Sequence, residues 1–203
     1  MSEFSEVVLR RRMTRSFSTR PLGDGVLDEL VRLAARAPSA GKTQGWHLLA
    51  LEGDDTARFW DITLPASRRA GFRWQGLLDA PAILLPFADC RAYTDRYSEP
   101  DKVASGLGVS AEAWPVPYWT IDASMSVMTL LLGAEDAGLG ALLFGVFSGE
   151  AALRDSLGVP PDLELLGAIA IGHPSDDADR DGKGISARRS GRTPEQIIHR
   201  GGW

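Results

Sequence analysis

The 203-residue chain has a single cysteine, Cys90, and only three histidines, His47, His173 and His199, far apart in sequence. One thiol excludes an intrachain disulfide. Cys90, between Asp89 and Arg91, is read as a bystander at a strand end. The scattered histidines, none in a His-Glu-x-x-His arrangement, argue against a zinc site. His47, next to Trp46, is read as a packed strand residue. No Gly-x-Ser-x-Gly elbow is present to carry a serine nucleophile. An apolar run of membrane-spanning length is also missing; the longest candidate, around Val127 to Leu132, is cut by Gly133 and Glu135. The opening Met1-Ser-Glu-Phe-Ser-Glu6 is acidic and holds no signal-type apolar core. A cytoplasmic protein with no membrane partner is the expectation. A formal net charge of −5 argues in the same way against nucleic acid as a partner.

Lysine is scarce, since nineteen of the 22 basic residues are arginine, and the arginines are unevenly placed. Arg10, Arg11, Arg12, Arg15 and Arg20 cluster near one end, and Arg188, Arg189, Arg192 and Arg200 near the other. Two such clusters are suited to converge on one anion. With 44% hydrophobic and 24% charged residues, the rest is ordinary globular composition.

The stretch Ala37-Pro-Ser-Ala-Gly-Lys-Thr-Gln-Gly-Trp46 contains Gly-Lys-Thr, the close of a nucleotide-binding P-loop. That motif requires a glycine five residues before Gly41, where this chain has Arg36. It also requires a strand before and a helix after. Here Val26, Leu30, Val31, Leu33 and Ala34 recur at helical spacing before the stretch, and Trp46–Leu51 reads as a strand after it. The order is helix–loop–strand, which excludes a phosphate-cradling P-loop. Gly138-Leu-Gly140 fails as a dinucleotide fingerprint for a similar reason: it follows a helix, and the third glycine would fall at Leu143.

Periodicity and breakers predict helices over 3–13, 24–37, from the Asp54-Asp55 cap through Ile62, 66–79, 118–137 and 150–157. Strands are predicted at 46–51, 82–87, 141–144 and 163–171. Pro86 favours an edge position for the second of these. Residues 89–117 read as loop, and Pro174–Gly191 as an extended polar arm. Ile121, Met125, Met128 and Leu132, three to four apart on the longest helix, read as a core stripe. Helices outnumber strands without regular alternation, so the whole of 1–203 is read as one α+β domain.

Without metal ligands or a nucleophile, enzymatic chemistry points to a bound organic cofactor. Four stretches together resemble the flavin-dependent nitroreductase family. Arg11-Arg-Met-Thr-Arg-Ser-Phe17 is similar to the family's Arg-Arg-Ser-x-Arg-x-Phe opening. Ala37–Trp46 is similar to Ala-Pro-Ser-x-x-Asn-x-Gln-Pro-Trp. Gly138-Leu-Gly140 with Phe144-Gly145, and Gly191-Arg-Thr-Pro194 with Ile197, Ile198 and Trp203, follow in the family's order.

The resemblance implies a mixed sheet flanked by helices and a C-terminal arm reaching the partner subunit of a homodimer. FMN then sits at two shared interfaces, with NADH or NADPH as reductant and a nitroaromatic, quinone-like or other small-molecule acceptor. Arg11, Arg15 and Arg192 would grip the FMN phosphate, with Arg12 and Arg189 beside them; guanidinium forks suit a phosphate dianion. Pro38, Ser39 and Ala40 would touch the partner's flavin. Lys42 stands where asparagine is common, and Met13 where serine is, which removes a hydroxyl hydrogen bond. Phe144 occupies the place of an acidic residue found near the flavin N5 in some members, and the Gly145 amide is the candidate N5 contact. Trp114, Tyr118 and Trp119 fall in the region that shapes the substrate pocket, with a core role equally open. Other flavin chemistries of the family also stay open: natural-product dehydrogenation, flavin fragmentation, reductive dehalogenation, or flavin binding without turnover.

Overall fold

Strand β2, Ala82–Asp89, is apolar at every position but its last, because both of its faces are covered. The computed structural model describes residues 3–176 and 189–203. Around β2 are arranged β1 (Trp46–Glu52), β3 (Gly140–Phe144), β4 (Leu163–Leu165) and β5 (Ala168–Gly172). The sheet order is β1-β2-β5-β3, with β4 pairing β2 beside β5, and these pairings are all antiparallel. A single parallel bridge, Met13 to Ala141, makes the sheet mixed. The helices are α1 (Phe4–Arg10), α2 (Val26–Ala34), α3 (Thr56–Thr63), α4 (Ala66–Arg69), α5 (Cys90–Tyr97), α6 (Tyr118–Asp136) and α7 (Glu150–Leu157). No helix among the described residues is long and apolar enough to cross a membrane.

Side-chain alternation divides the core into two layers. Ile83, Leu85 and Phe87 of β2, with Ala168 and Ala170 of β5, pack with Phe59, Trp60 and Leu153 from α3 and α7. Ala82 and Leu84, with Ile169 and Ile171, pack with Leu30 and Ala34 of α2 and Val127, Leu130, Leu131 and Ala134 of α6.

The fold departs from the sequence expectations at six places. Helix α1 stops at Arg10, because Arg11 turns extended (φ −55°, ψ 128°) and the chain runs on beside β3. The helix expected over 66–79 is only Ala66–Arg69; the side-chain amide of Gln75 donates to the Arg69 and Phe72 carbonyls, both at 2.6 Å, and holds the segment as a turn. β2 is the central strand, not an edge. Pro86 is tolerated there because it faces the break between β4 and β5, where only its carbonyl is used, by Leu166 N–H at 3.0 Å. The same break splits the strand expected at 163–171. The 89–117 segment contains α5, capped by Asp89 Oδ1, which accepts from Ala92 N–H at 3.2 Å.

The sixth departure concerns the methionine stripe of α6. Its buried face is Asp122, Ala123, Ser126, Val127, Leu130, Leu131 and Ala134. Ile121 and Met128 are 41% and 42% exposed, on the opposite side. Most of the polar arm expected at 174–191 lies outside the described residues.

Candidate functional site

The N-terminal basic segment is laid on the sheet by Gly140. A Cβ at this position would meet the Thr14 side chain at 2.6 Å, so only glycine lets the two backbones close. Thr14 N–H donates to the Ala141 carbonyl at 3.0 Å, and Phe17 N–H to the Gly76 carbonyl at 2.9 Å. Thr14 is buried by this contact, and Met13 packs against both core layers.

Arg15 borders a cavity of about 430 Å³ at the C-terminal end of β3. Its guanidinium lies 5.2 Å from the Trp74 ring centroid, and Arg73 lies 4.6 Å from the same ring. Trp60, Phe72, Trp74 and Phe144 give the cavity aromatic walls, and Arg68 joins Arg15 on it. Trp60 and Phe144 are stacked, with centroids 6.0 Å apart and planes 4° apart. Phe144 is therefore a wall. Gly145 is exposed beside it, with the Phe147 ring packed against its Cα. Among the described residues, every titratable side chain lining this cavity is an arginine.

Arg12 is not brought there. It borders a separate hollow of about 340 Å³ with Arg10, Glu135 and Asp136, where Arg10 Nε donates to Glu135 at 2.6 Å. Arg11 is half-buried at the end of α1. Arg189 and Arg192 are exposed, as is every described residue from 189 to 203. Arg192 Nη2 donates to its own neighbour, the Gln196 carbonyl, within a turn capped by Thr193. Arg188 lies outside the described residues.

The second group of residues is the 37–46 loop. Gly41, Lys42 and Gln44 all take positive φ, 62°, 56° and 54°, and the last two have side chains. Several bonds hold this conformation. Gln44 N–H donates to Ser39 Oγ at 2.9 Å and its side-chain amide to the Ala35 carbonyl at 2.9 Å. Arg96 Nε donates to the Gly41 carbonyl at 3.0 Å, while its other nitrogens pair with Asp101 and Glu99. From beneath, Ala40 N–H donates to Asp122 Oδ2 at 2.8 Å, and that oxygen also accepts from Tyr93 O–H at 2.7 Å. Burial and the adjacent Asp122 carboxylate both push the Tyr93 phenol far above its ordinary range, so it stays a proton donor.

Pro38 and Lys42 are exposed, while Ser39 and Ala40 are half-buried. Under the loop lies an aromatic group: Trp114 meets Tyr97 edge-on at 4.6 Å and Tyr93 at 5.7 Å, and contacts Tyr118 and Trp119. Trp114 is 7% exposed and its Nε1 donates to the Leu107 carbonyl at 2.9 Å, so it braces the loop from inside. Tyr118 and Trp119 reach further toward solvent.

The two groups share one end of the sheet, since Trp46 pairs with Ala88 there and Phe144 with Ala168. They stand on opposite edges, three strand spacings or about 14 Å apart. One chain does not bring Arg15 and the 37–46 loop to the same point. A further hollow of about 430 Å³ contains none of the residues expected from sequence except His47, which is 57% exposed rather than packed and lies 3.4 Å from Asp89. Burial and the Asp89 charge raise the Cys90 thiol above its ordinary range. No cluster of three metal-ligating side chains exists among the described residues.

Sequence reasoning named Phe144 but missed the Trp60, Phe72 and Trp74 walls of the Arg15 cavity, and the Asp122–Tyr93 support. The signal for the first was present in Arg68-Arg-Ala-Gly-Phe-Arg-Trp74, where basic and aromatic residues interleave across a predicted helix. The second had no local signal, because Asp122 and Tyr93 meet across 29 residues.

Comparison with known proteins identifies the family. An NADH dehydrogenase of Thermus thermophilus is 27% identical, with 83% of this chain and 85% of that one aligned. A 5,6-dimethylbenzimidazole synthase of Rhodobacter capsulatus is 28% identical over 98% of this chain and 89% of its own length. A nitroreductase-type structure from Exiguobacterium sibiricum, solved in complex with FMN, superposes with a TM-score of 0.70 at 20% identity, covering 98% of this chain and 97% of the other. The sequence model described as the nitroreductase family matches residues 8–173, a span holding the Arg11–Phe17 segment, the 37–46 loop and the β3 cavity alike, and the chain belongs to that family.

Proposed function

We propose that the chain is a cytoplasmic FMN-dependent oxidoreductase that draws on NADH or NADPH to reduce nitroaromatic, quinone-like or other small acceptors, and works as a homodimer. The observation that carries this reading is the cavity that joins Arg15 to Phe144 and Gly145, walled by aromatic rings and, among the described residues, free of carboxylates. Those residues fit a flavin mononucleotide. A planar apolar ring system matches the walls, exposed Gly145 lies beside them, and cations stand ready for a phosphate. Arg15 and Arg11 would hold the phosphate from one chain, Arg192 from the C-terminal arm, and Pro38–Lys42 would close over the ring from the other subunit.

Bound FMN would supply a two-electron carrier between a nicotinamide and the acceptor. The chain's own part is placement. The aromatic walls exclude water, and the braced loop sets the distance of stacked reactants, for which about 3–3.5 Å is needed. Among the described residues the cavity is lined by no carboxylate, histidine or thiol, which suits a reaction that needs no side-chain acid or base at the transferring atom. Pairing of two chains is supported by the separation of the Arg15 cavity from the loop, and by the exposed Ile121–Met128 face of α6.

The test is an anaerobic reductive half-reaction. The purified protein is expected to carry FMN or to take it up, and NADH or NADPH is expected to bleach its visible absorption. A chain that binds no FMN overturns the reading. The likeness to a 5,6-dimethylbenzimidazole synthase favours a second reading, other flavin chemistry on the same site. Bound flavin that neither nicotinamide reduces would count against the nicotinamide-driven reaction and leave that reading or flavin binding without turnover.

A further inference from the structure

The buried Asp122 carboxylate has no part in the contacts so far assigned to the cofactor, yet it is 5% exposed and is met by no cation in its two hydrogen bonds. Keeping a carboxylate out of water is costly unless its oxygens are satisfied. Here one oxygen, Oδ2, takes both Ala40 N–H and Tyr93 O–H. Tyr93 is itself fixed by edge contacts to Trp114 and Trp119. The carboxylate is thereby a rigid post on α6, and its one attachment outside the aromatic group is to the backbone of the loop.

That attachment falls at a strained place. Ala40 opens the short turn Ala40–Lys42, and Lys42 and Gln44 follow in the left-handed region. Side-chain-bearing residues persist there only where the surroundings over-determine them. Within the loop, Lys42, Thr43 and Gln44 bond back to Ser39 and Ala40; from outside it, Arg96 holds the Gly41 carbonyl and Asp122 holds the Ala40 N–H.

We propose that Asp122 is a positioning residue for the flavin-facing loop: its hydrogen bond from Ala40 N–H sets which surface of Pro38–Lys42 is presented to the cofactor. The inference rests on the flavin reading above. Asp122 touches neither cofactor nor substrate in this arrangement and acts through Ala40.

Two substitutions separate the roles. Asp122→Ala removes the acceptor. Ala40→Pro removes the donor and, because its ring Cδ takes the place of the amide hydrogen, also drives Asp122 Oδ2 off the loop; the local backbone admits it, because Ser39 is already extended (φ −143°, ψ 147°) and Ala40 is the first residue of its turn. The measurement is FMN dissociation, by flavin-fluorescence titration of the apo-protein, alongside apo-protein melting and the visible circular dichroism of the bound flavin. Each single variant is expected to weaken FMN roughly ten- to a hundredfold and to change the flavin dichroism. Asp122→Asn, which keeps an acceptor for Ala40, is expected to restore the dichroism and most of the affinity. In the double variant the two losses should not add, since either one alone breaks the same bond.

Additive losses, or an Ala40→Pro variant with unchanged FMN affinity and dichroism, overturn the proposal. So does an Asp122→Asn variant that folds but binds as poorly as Asp122→Ala. Should Asp122→Ala fail to fold, Ala40→Pro with Asp122→Asn decides the question by the same criteria. Wild-type protein that binds no FMN is a different failure, that of the flavin reading itself.

Discussion

Replacing Arg15 with alanine should separate cofactor affinity from folding. Within the chain, Arg15 makes little: a Met13 carbonyl contact at 3.4 Å, long for a hydrogen bond, and a position 5.2 Å from the Trp74 ring. A cation over an aromatic ring at a partly exposed site contributes about 0.5–1 kcal/mol. For a chain of this length that is a fall in melting temperature of about 1–4 °C in the apo-protein. A charge-assisted bond to a bound phosphate is larger, about 1.5–3 kcal/mol. FMN affinity should therefore fall about tenfold to over a hundredfold. Arg15→Lys should lie between, because it keeps the charge and loses the planar fork. Fluorescence titration gives the dissociation constant and differential scanning calorimetry of apo-protein gives the stability. FMN affinity unchanged within about twofold, with apo-protein stability reduced, would show that Arg15 serves the Trp74 contact alone, and the phosphate reading of the site would fail.

The outward face of α6 predicts that Met128→Glu will disperse the dimer; an unaltered sedimentation coefficient at micromolar concentration would refute this. Deleting residues 193–203 is expected to loosen pairing and release FMN together, since Ile197, Ile198 and Trp203 are exposed on the single chain; a truncated dimer with full flavin content contradicts it. Asp101 is held at about 2, below its ordinary 3.8, by its hydrogen bond from Arg96. A lowered carboxylate stabilises the fold above the ordinary value and loses that contribution as pH falls toward the lowered one. Wild type and Asp101→Asn should thus differ in melting temperature at pH 6 and converge near pH 2; parallel curves throughout would show the pairing has no effect on folding.

The 37–46 loop was legible from sequence because its information is local: helix before, strand after, and a dense motif between. The cavity walls were legible only in part, from Phe144 and from the basic–aromatic run Arg68–Trp74. Trp60 comes from α3, Trp74 from a turn and Phe144 from β3, and nothing in their spacing announces that they meet. The α6 stripe shows a different limit. Its period correctly placed Ile121, Met125, Met128 and Leu132 on one side, but periodicity does not say which side faces the core when both are apolar. Ala123, Val127, Leu130 and Ala134 won because small residues let α6 approach α2 and the sheet closely. Pro86 misled for a reason of register: a proline excludes a donor from one side of a strand, and the break at Leu166–Gly167 lay exactly where sequence alone gives no pairing partner.

The same proline bears on the chain before it is folded. Ala80-Pro-Ala-Ile-Leu-Leu-Pro-Phe-Ala88 is uncharged and rich in strand-forming residues, the composition of a self-stacking segment. Stacked copies in register need an amide donor at every second residue along each side. Pro81 and Pro86 withhold one near each end of the run, so a copy exposed on a nascent chain cannot template a continuous fibril core. Inside the native sheet the deficit costs no bond, because β4 and β5 part at the one point where Pro86 has none to give.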